Sequence, residues 1–195
     1  MDSYSARGNT IFCTFVTVLG TFGALNHCTS YLPAFQPKTE GTLKVNEMTR
    51  LTKNSHFGFD QAEVTFDINY NLSEEFHWNS KQLFVYLVAV YKTDKHKRNE
   101  VTLWDCIVSR DQKEDEGCVK ELQARALKAE YLFSDPSKEL RDNNYHLEIR
   151  YRTMPIIGIM HTKELCKSDE EHIKAEYFQP GGTAKGGAKG SKRLG

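Results

Sequence analysis

Val64-Thr65-Phe66-Asp67-Ile68-Asn69-Tyr70-Asn71-Leu72 sets an apolar side chain at every second position. Successive residues of a strand point to opposite faces, so this pattern buries one face of a β-strand and wets the other. Tyr145, Leu147, Ile149 and Tyr151 alternate with His146, Glu148, Arg150 and Arg152 in the same way. Residues 83–91 are apolar at every position, the pattern of a central strand covered on both sides. Residues 43–51, 101–110, 129–133 and 173–178 are further candidate strands. Short strands at this spacing, with no long helical repeat between them, predict a mainly β fold, an antiparallel β-sandwich. The polar stretch 112–128 is expected to hold a short helix before the strand at Ala129. Trp78 and Trp104 are read as core or sheet-covering residues.

Upstream of this domain the character changes. Residues 11–25 carry no charge and are mostly large and apolar. At a rise of about 1.5 Å per residue the run covers about 22 Å, less than a hydrocarbon core of about 30 Å. The uncharged stretch is longer, from Asn9 to Gln36, and no A-x-A cleavage pattern follows it. It reads as one uncleaved transmembrane signal anchor over residues 11–32 rather than a signal peptide. The chain thus divides into 1–10 ahead of the anchor, 11–32, a β domain over 33–179, and a tail over 180–195. The tail holds four basic residues, no acid and abundant glycine, a composition that stays disordered. Its lysines follow Ala or Ser rather than Gly, which excludes a phosphate-binding loop. Flanking charges give little bias for orientation. Asn71-Leu72-Ser73 makes Asn71 a candidate N-glycosylation acceptor, which has meaning only on a luminal side.

The totals exclude several function classes. Lys and Arg number 26 and so do Asp and Glu, which leaves no basic field for nucleic acid. A mean hydropathy of −0.58 confines any membrane part to a short segment. Of five cysteines no two have C-x-x-C spacing, and Cys106 with Cys118 is the first disulfide to test among Cys106, Cys118 and Cys166. The seven histidines show no metal-ligand spacing, and the acidic pairs sit in polar stretches, so neither a metal nor a cofactor is implied. Ser80-Lys81 is the one adjacency that suggests a nucleophile and a base. Neighbours on a strand face opposite ways, which argues against a catalytic dyad there. The residues alone leave an anchored β domain that acts through contacts. An anchored or secreted β-sandwich binding module is the alternative.

Residues 64–87 also carry a resemblance. Val64-Thr65-Phe66-Asp67-Ile68, then Leu72, then Phe76-His77-Trp78-Asn79-Ser80-Lys81-Gln82-Leu83-Phe84-Val85-Tyr86-Leu87 resembles the subunit 3 family (22/23 kDa) of the eukaryotic signal peptidase complex. Val101-Thr102-Leu103-Trp104-Asp105-Cys106-Ile107-Val108, Lys128-Ala129-Glu130-Tyr131-Leu132-Phe133 and Met154-Pro155-Ile156-Ile157-Gly158-Ile159 are similar to later blocks of that family. The likeness runs from the anchor to about residue 160. Phe76, Trp78, Asn79, Lys81, Gln82, Trp104, Asp105, Pro155 and Gly158 are its motif residues. Three features depart from the pattern. Asn143-Asn144-Tyr145-His146 lacks the hydroxyl residue of a glycosylation acceptor, residues 112–123 are unusually charged, and the tail after Pro180 has no counterpart. The resemblance implies a single-pass type II protein of the endoplasmic reticulum, with its N-terminus cytosolic and its β domain luminal. It implies a non-catalytic subunit without cofactors that supports signal-peptide removal. Its partners would be the serine-type catalytic subunit, the other subunits and the lipid bilayer.

Overall fold

A computed structural model of the chain describes residues 3–32, 37–54, 56, 58–111 and 118–173. One long helix precedes a two-layer β-sandwich. Helix α1 (Tyr4–Thr29) opens on Ser3, whose hydroxyl accepts from the Ala6 amide at 3.2 Å. It begins ahead of the expected anchor limit at residue 11 and ends before the limit at 32; the polypeptide leaves it through a tight turn over 30–32. None of its residues is buried, and Ile11, Phe12, Phe15, Leu19 and Phe22 are all more than 60% exposed. Apolar surface of that extent is costly in water and suited to lipid. The hydroxyls of Thr10, Thr14, Thr17 and Thr21 each donate to the carbonyl four residues earlier, at 2.8–3.0 Å. The helix therefore meets lipid without unmet hydrogen-bond donors at those positions.

Nine strands follow among the described residues: β1 (Glu40–Lys53), β2 (Asp60–Asn71), β3 (Ser80–Tyr91), β4 (Asn99–Ser109), β5 (Glu121–Lys128), β6 (Phe133–Asp135), β7 (Asn144–Pro155), β8 (His161–Lys167) and β9 (Glu171–His172). One sheet runs β1-β2-β5, with β6 beside the start of β2. The other runs β4-β3-β7-β8, with β9 at the start of β7. Every pairing is antiparallel. The expected alternation of β2 is fully met: Ala62, Val64, Phe66, Ile68 and Tyr70 are buried, and their neighbours are not. They face Leu83, Val85, Leu87 and Ala89 of β3 and Leu147, Ile149 and Tyr151 of β7 in a single core. At one lateral edge β1 meets β8, and Gly41 is needed there. A Cβ at that position would lie 2.8 Å from two atoms of Leu165.

Four expectations need correction. Residues 121–128 are a strand and not a helix. Leu122, Ala124 and Leu127 pack against the core while their neighbours are wet, the signature of an edge strand. The part of that expectation over 112–117 lies outside the described residues, as do the tail and most of the candidate strand 173–178. Residues 129–132 are a connection, with a strand only from Phe133. β8 has no counterpart among the candidate strands, because of its residues only Leu165 and Cys166 are part-buried and no alternation marks it. β3 is central, but among the described residues no second sheet covers its outer face. The Arg150–Glu100 ion pair, at 2.8 Å, crosses β3 on the side that carries Val88 and Val90. Cys106 and Cys118 form a disulfide with their Cα atoms 6.1 Å apart, tying β4 of one sheet to the segment that leads into β5 of the other.

Candidate functional site

The family-motif residues do not converge on a nucleophile. Several converge on the joint between helix and sandwich. Three segments meet there: the last turn of α1, the turn at Trp78–Asn79 that leads into β3, and the loop after β7. Asn79, in the second of these, is 1% exposed and bonds to the other two. Its Nδ2 donates to the Ile157 carbonyl at 2.8 Å and to Ser30 Oγ at 3.2 Å. Its Oδ1 accepts from the Ile157 amide at 3.1 Å and from Asn26 Nδ2 at 3.3 Å. Its backbone carbonyl accepts from the Ile156 amide at 2.7 Å. A second tie joins Tyr31 Oη and His161 Nε2 at 2.7 Å, with His27 Nε2 3.3 Å from the same hydroxyl.

One glycine, Gly158, is required for this approach, and a second, Gly23, lies beside it with room to spare. Gly158 has φ +123°, in the region that side chains avoid, and a Cβ there would sit 2.3 Å from the His27 ring. A Cβ at Gly23, in the helix, would lie 3.8 Å from Ile157. Pro155 pairs with Ser80 at the end of the β3–β7 ladder, where the chain leaves the sheet for this loop.

Beside the joint lies a cleft of about 590 Å³ lined by His27, Tyr31, Glu75, His77, Tyr151 and His161 among others. Glu75, 1% exposed, forms its floor. It accepts from Tyr151 Oη at 2.5 Å and from Lys163 Nζ at 2.8 Å. Burial, and then the Glu75 carboxylate, pushes the Tyr151 hydroxyl well above the ordinary tyrosine range, so it stays protonated as a donor. Burial lowers the His77 pKa, which favours the neutral ring. Ser80 Oγ donates to the Glu75 carbonyl at 2.6 Å, and Lys81 is exposed while Ser80 is buried. Ser80 and Lys81 therefore do not form a nucleophile–base pair.

The remaining motif residues lie elsewhere. Phe76 packs against the core with Lys120 Nζ 5.0 Å above its ring. Gln82 Nε2 contacts Met154 Sδ at 3.0 Å. Trp104 is half-buried against the core at a bulge in β4. Asp105, on the outer face, interacts with the Tyr131 hydroxyl. Trp78 is 43% exposed, contrary to the expectation of a core residue, because it occupies a turn rather than a strand. Asn71 ends β2 and is exposed, with its Nδ2 on Glu121 Oε1 at 3.0 Å. Asn26, His27, Ser30, Tyr31, His161 and Glu75 were missed. For Asn26, His27, Ser30 and Tyr31 the signal was the run of polar residues closing an otherwise apolar helix, whereas Glu75 and His161 lie far from it in sequence and carry no such signal.

A family model described as Signal peptidase subunit matches residues 1–176. Human "Signal peptidase complex subunit 3" is 33% identical over 168 residues, covering 82% of this chain and 87% of its own. The protein of the same name from Dictyostelium discoideum is 28% identical over 179 residues, covering 92% and 98%. Mouse "Adipocyte-related X-chromosome expressed sequence 1" is 31% identical over 172 residues, covering 82% and 87%.

Proposed function

Since the chain belongs to the signal peptidase subunit family, we propose that it is a non-catalytic subunit which braces the serine-type catalytic subunit of that complex near the membrane. Membership makes it an accessory subunit of the signal peptidase complex at the endoplasmic reticulum membrane. The bracing role rests on one observation above all: Asn79 and Gly158 lock the sandwich to the anchor, so the domain has a fixed position relative to the bilayer. Cleavage after Thr29 or Ser30 would remove Asn26 and His27 from that joint, which favours an uncleaved anchor over a secreted module. The Cys106–Cys118 disulfide fits an oxidising compartment and so a luminal domain, with residues 1–10 cytosolic. Ser80 is held by a backbone carbonyl rather than by a base, consistent with cleavage residing in another subunit.

Purification of the full chain from membranes in mild detergent tests the assignment. A serine-type signal peptidase subunit should co-purify, and protease added to intact microsomes should spare the sandwich. Absence of that subunit across mild detergents overturns the bracing role. Digestion of the domain in sealed vesicles overturns the orientation.

A further inference from the structure

The loop over 156–160 holds an exposed apolar cluster set against the anchor. Ile156, Ile157, Ile159 and Met160 are 59%, 46%, 64% and 48% exposed, and the fifth residue is Gly158. No charged residue lies between Arg152 and Lys163. In water such a cluster is unfavourable, and its position indicates what covers it. Ile157 packs beside Gly23, inside the apolar run of the helix. Gly23 lies six residues before Thr29, about 9 Å along the helix axis. The Ile157 side chain therefore reaches back to the anchor's apolar part, while the loop backbone sits at the polar turn by Asn26 and His27.

A loop can enter the edge of a bilayer only if its backbone polar groups are satisfied by protein. Asn79 does this. It bonds to the Ile156 amide, the Ile157 amide and the Ile157 carbonyl. The loop closes where Thr153 Oγ1 meets the backbone of His161. Tyr31 and Trp78, 52% and 43% exposed, flank the same end, and such aromatics favour the head-group region. We propose that the 156–160 loop is a second membrane contact, with its isoleucine and methionine side chains in the leaflet that faces the sandwich. This rests on α1 lying in the bilayer, and holds for either orientation of the domain.

The test uses the full chain in phosphatidylcholine vesicles. Cys13, Cys28 and Cys166, which are unpaired, are replaced by Ala, and the disulfide is kept. Single Ile159→Cys, Phe15→Cys and Lys97→Cys variants receive an environment-sensitive fluorophore. Quenching is measured with phosphatidylcholine bearing a nitroxide near the head of an acyl chain, and with aqueous iodide. The label at 159 should lose most of its emission to the lipid nitroxide and little to iodide. The label at 97, in the far hairpin, should do the reverse, and the label at 15 should be shielded from iodide. Iodide quenching at 159 equal to that at 97 overturns the proposal while leaving the anchor intact. Iodide access at both 15 and 159 overturns the anchor and the loop together. Shielding of 159 that appears only in the membrane-extracted complex, without quenching by lipid, means that a protein covers the loop and also overturns the proposal.

Discussion

Asn79 and Trp78 are neighbours with opposite roles. The indole lies 43% exposed in a turn, whereas Asn79 is buried and satisfies three backbone groups of the loop after β7. Replacing Asn79 by Ala leaves the Ile157 amide and carbonyl without those partners, and stranding such a pair costs about 1–3 kcal/mol. The expected result is a clear drop in the melting temperature of the full chain in detergent, with Trp78→Ala nearly silent in the same assay. Equal effects would show that the joint is not held in this way. The sequence marked both residues through one motif string but gave no means of separating them. Large aromatics default to the core, and a buried amide in a turn has no periodic signal. Gly158 and Pro155 were likewise marked without a reason, because the partner that requires Gly158 is His27, 131 residues away in the chain.

At the scale of elements, β2 was legible because its two faces have different solvents, and β5 was not. Ala126 sits at φ 51° with its amide on Asp67 Oδ1 at 2.7 Å, and a register shift between Phe66 and Ile68 breaks the alternation across the pair. Leu122, Ala124 and Leu127 reach the core with mismatched spacing, so the strand reads as merely polar. The outer face of β3 has a different logic. Glu148, 0% exposed, accepts from Arg150, Arg98 and His146 and pairs with Lys167. Burial alone would raise its pKa, but the hydrogen bonds from Arg150, His146 and Lys167 outweigh that and hold it at about 2. The folded state thus favours the ionised form. That contribution, on the order of 3 kcal/mol, is complete above about pH 4.5 and is lost as pH falls towards 2. Glu148→Gln should lower the melting temperature at pH 7 and flatten the acid limb of its pH profile. The difference from wild type should close near pH 2. Parallel profiles at all pH values would exclude this role for the carboxylate.

For the whole molecule, the division into an anchor and a sandwich was readable from charge and periodicity, but their connection was not. The joint depends on which side of the helix faces the sandwich. One added residue turns everything beyond it by about 100°. An alanine inserted between Ala24 and Leu25 would leave Gly23 and His27 unable to meet the loop together, so the melting temperature should fall. The same insertion between Cys13 and Thr14 lies before both contacts and should leave it unchanged. Equal melting temperatures for the two insertions would mean that helix and sandwich are independent.

A body fixed to its support in this way behaves as a lever with its pivot at Asn79. β3 starts beside that pivot and runs about 36 Å towards the hairpin over 92–98. Membrane helices commonly lean by about 20°, and that lean would carry the hairpin through roughly 12 Å of arc while the first residues of β3 scarcely shift. Accuracy of placement therefore declines with distance from the pivot. A partner that must present its chemistry at a constant height above the lipid is best held on the short arm, close to the joint, and the long arm suits contacts that tolerate sway.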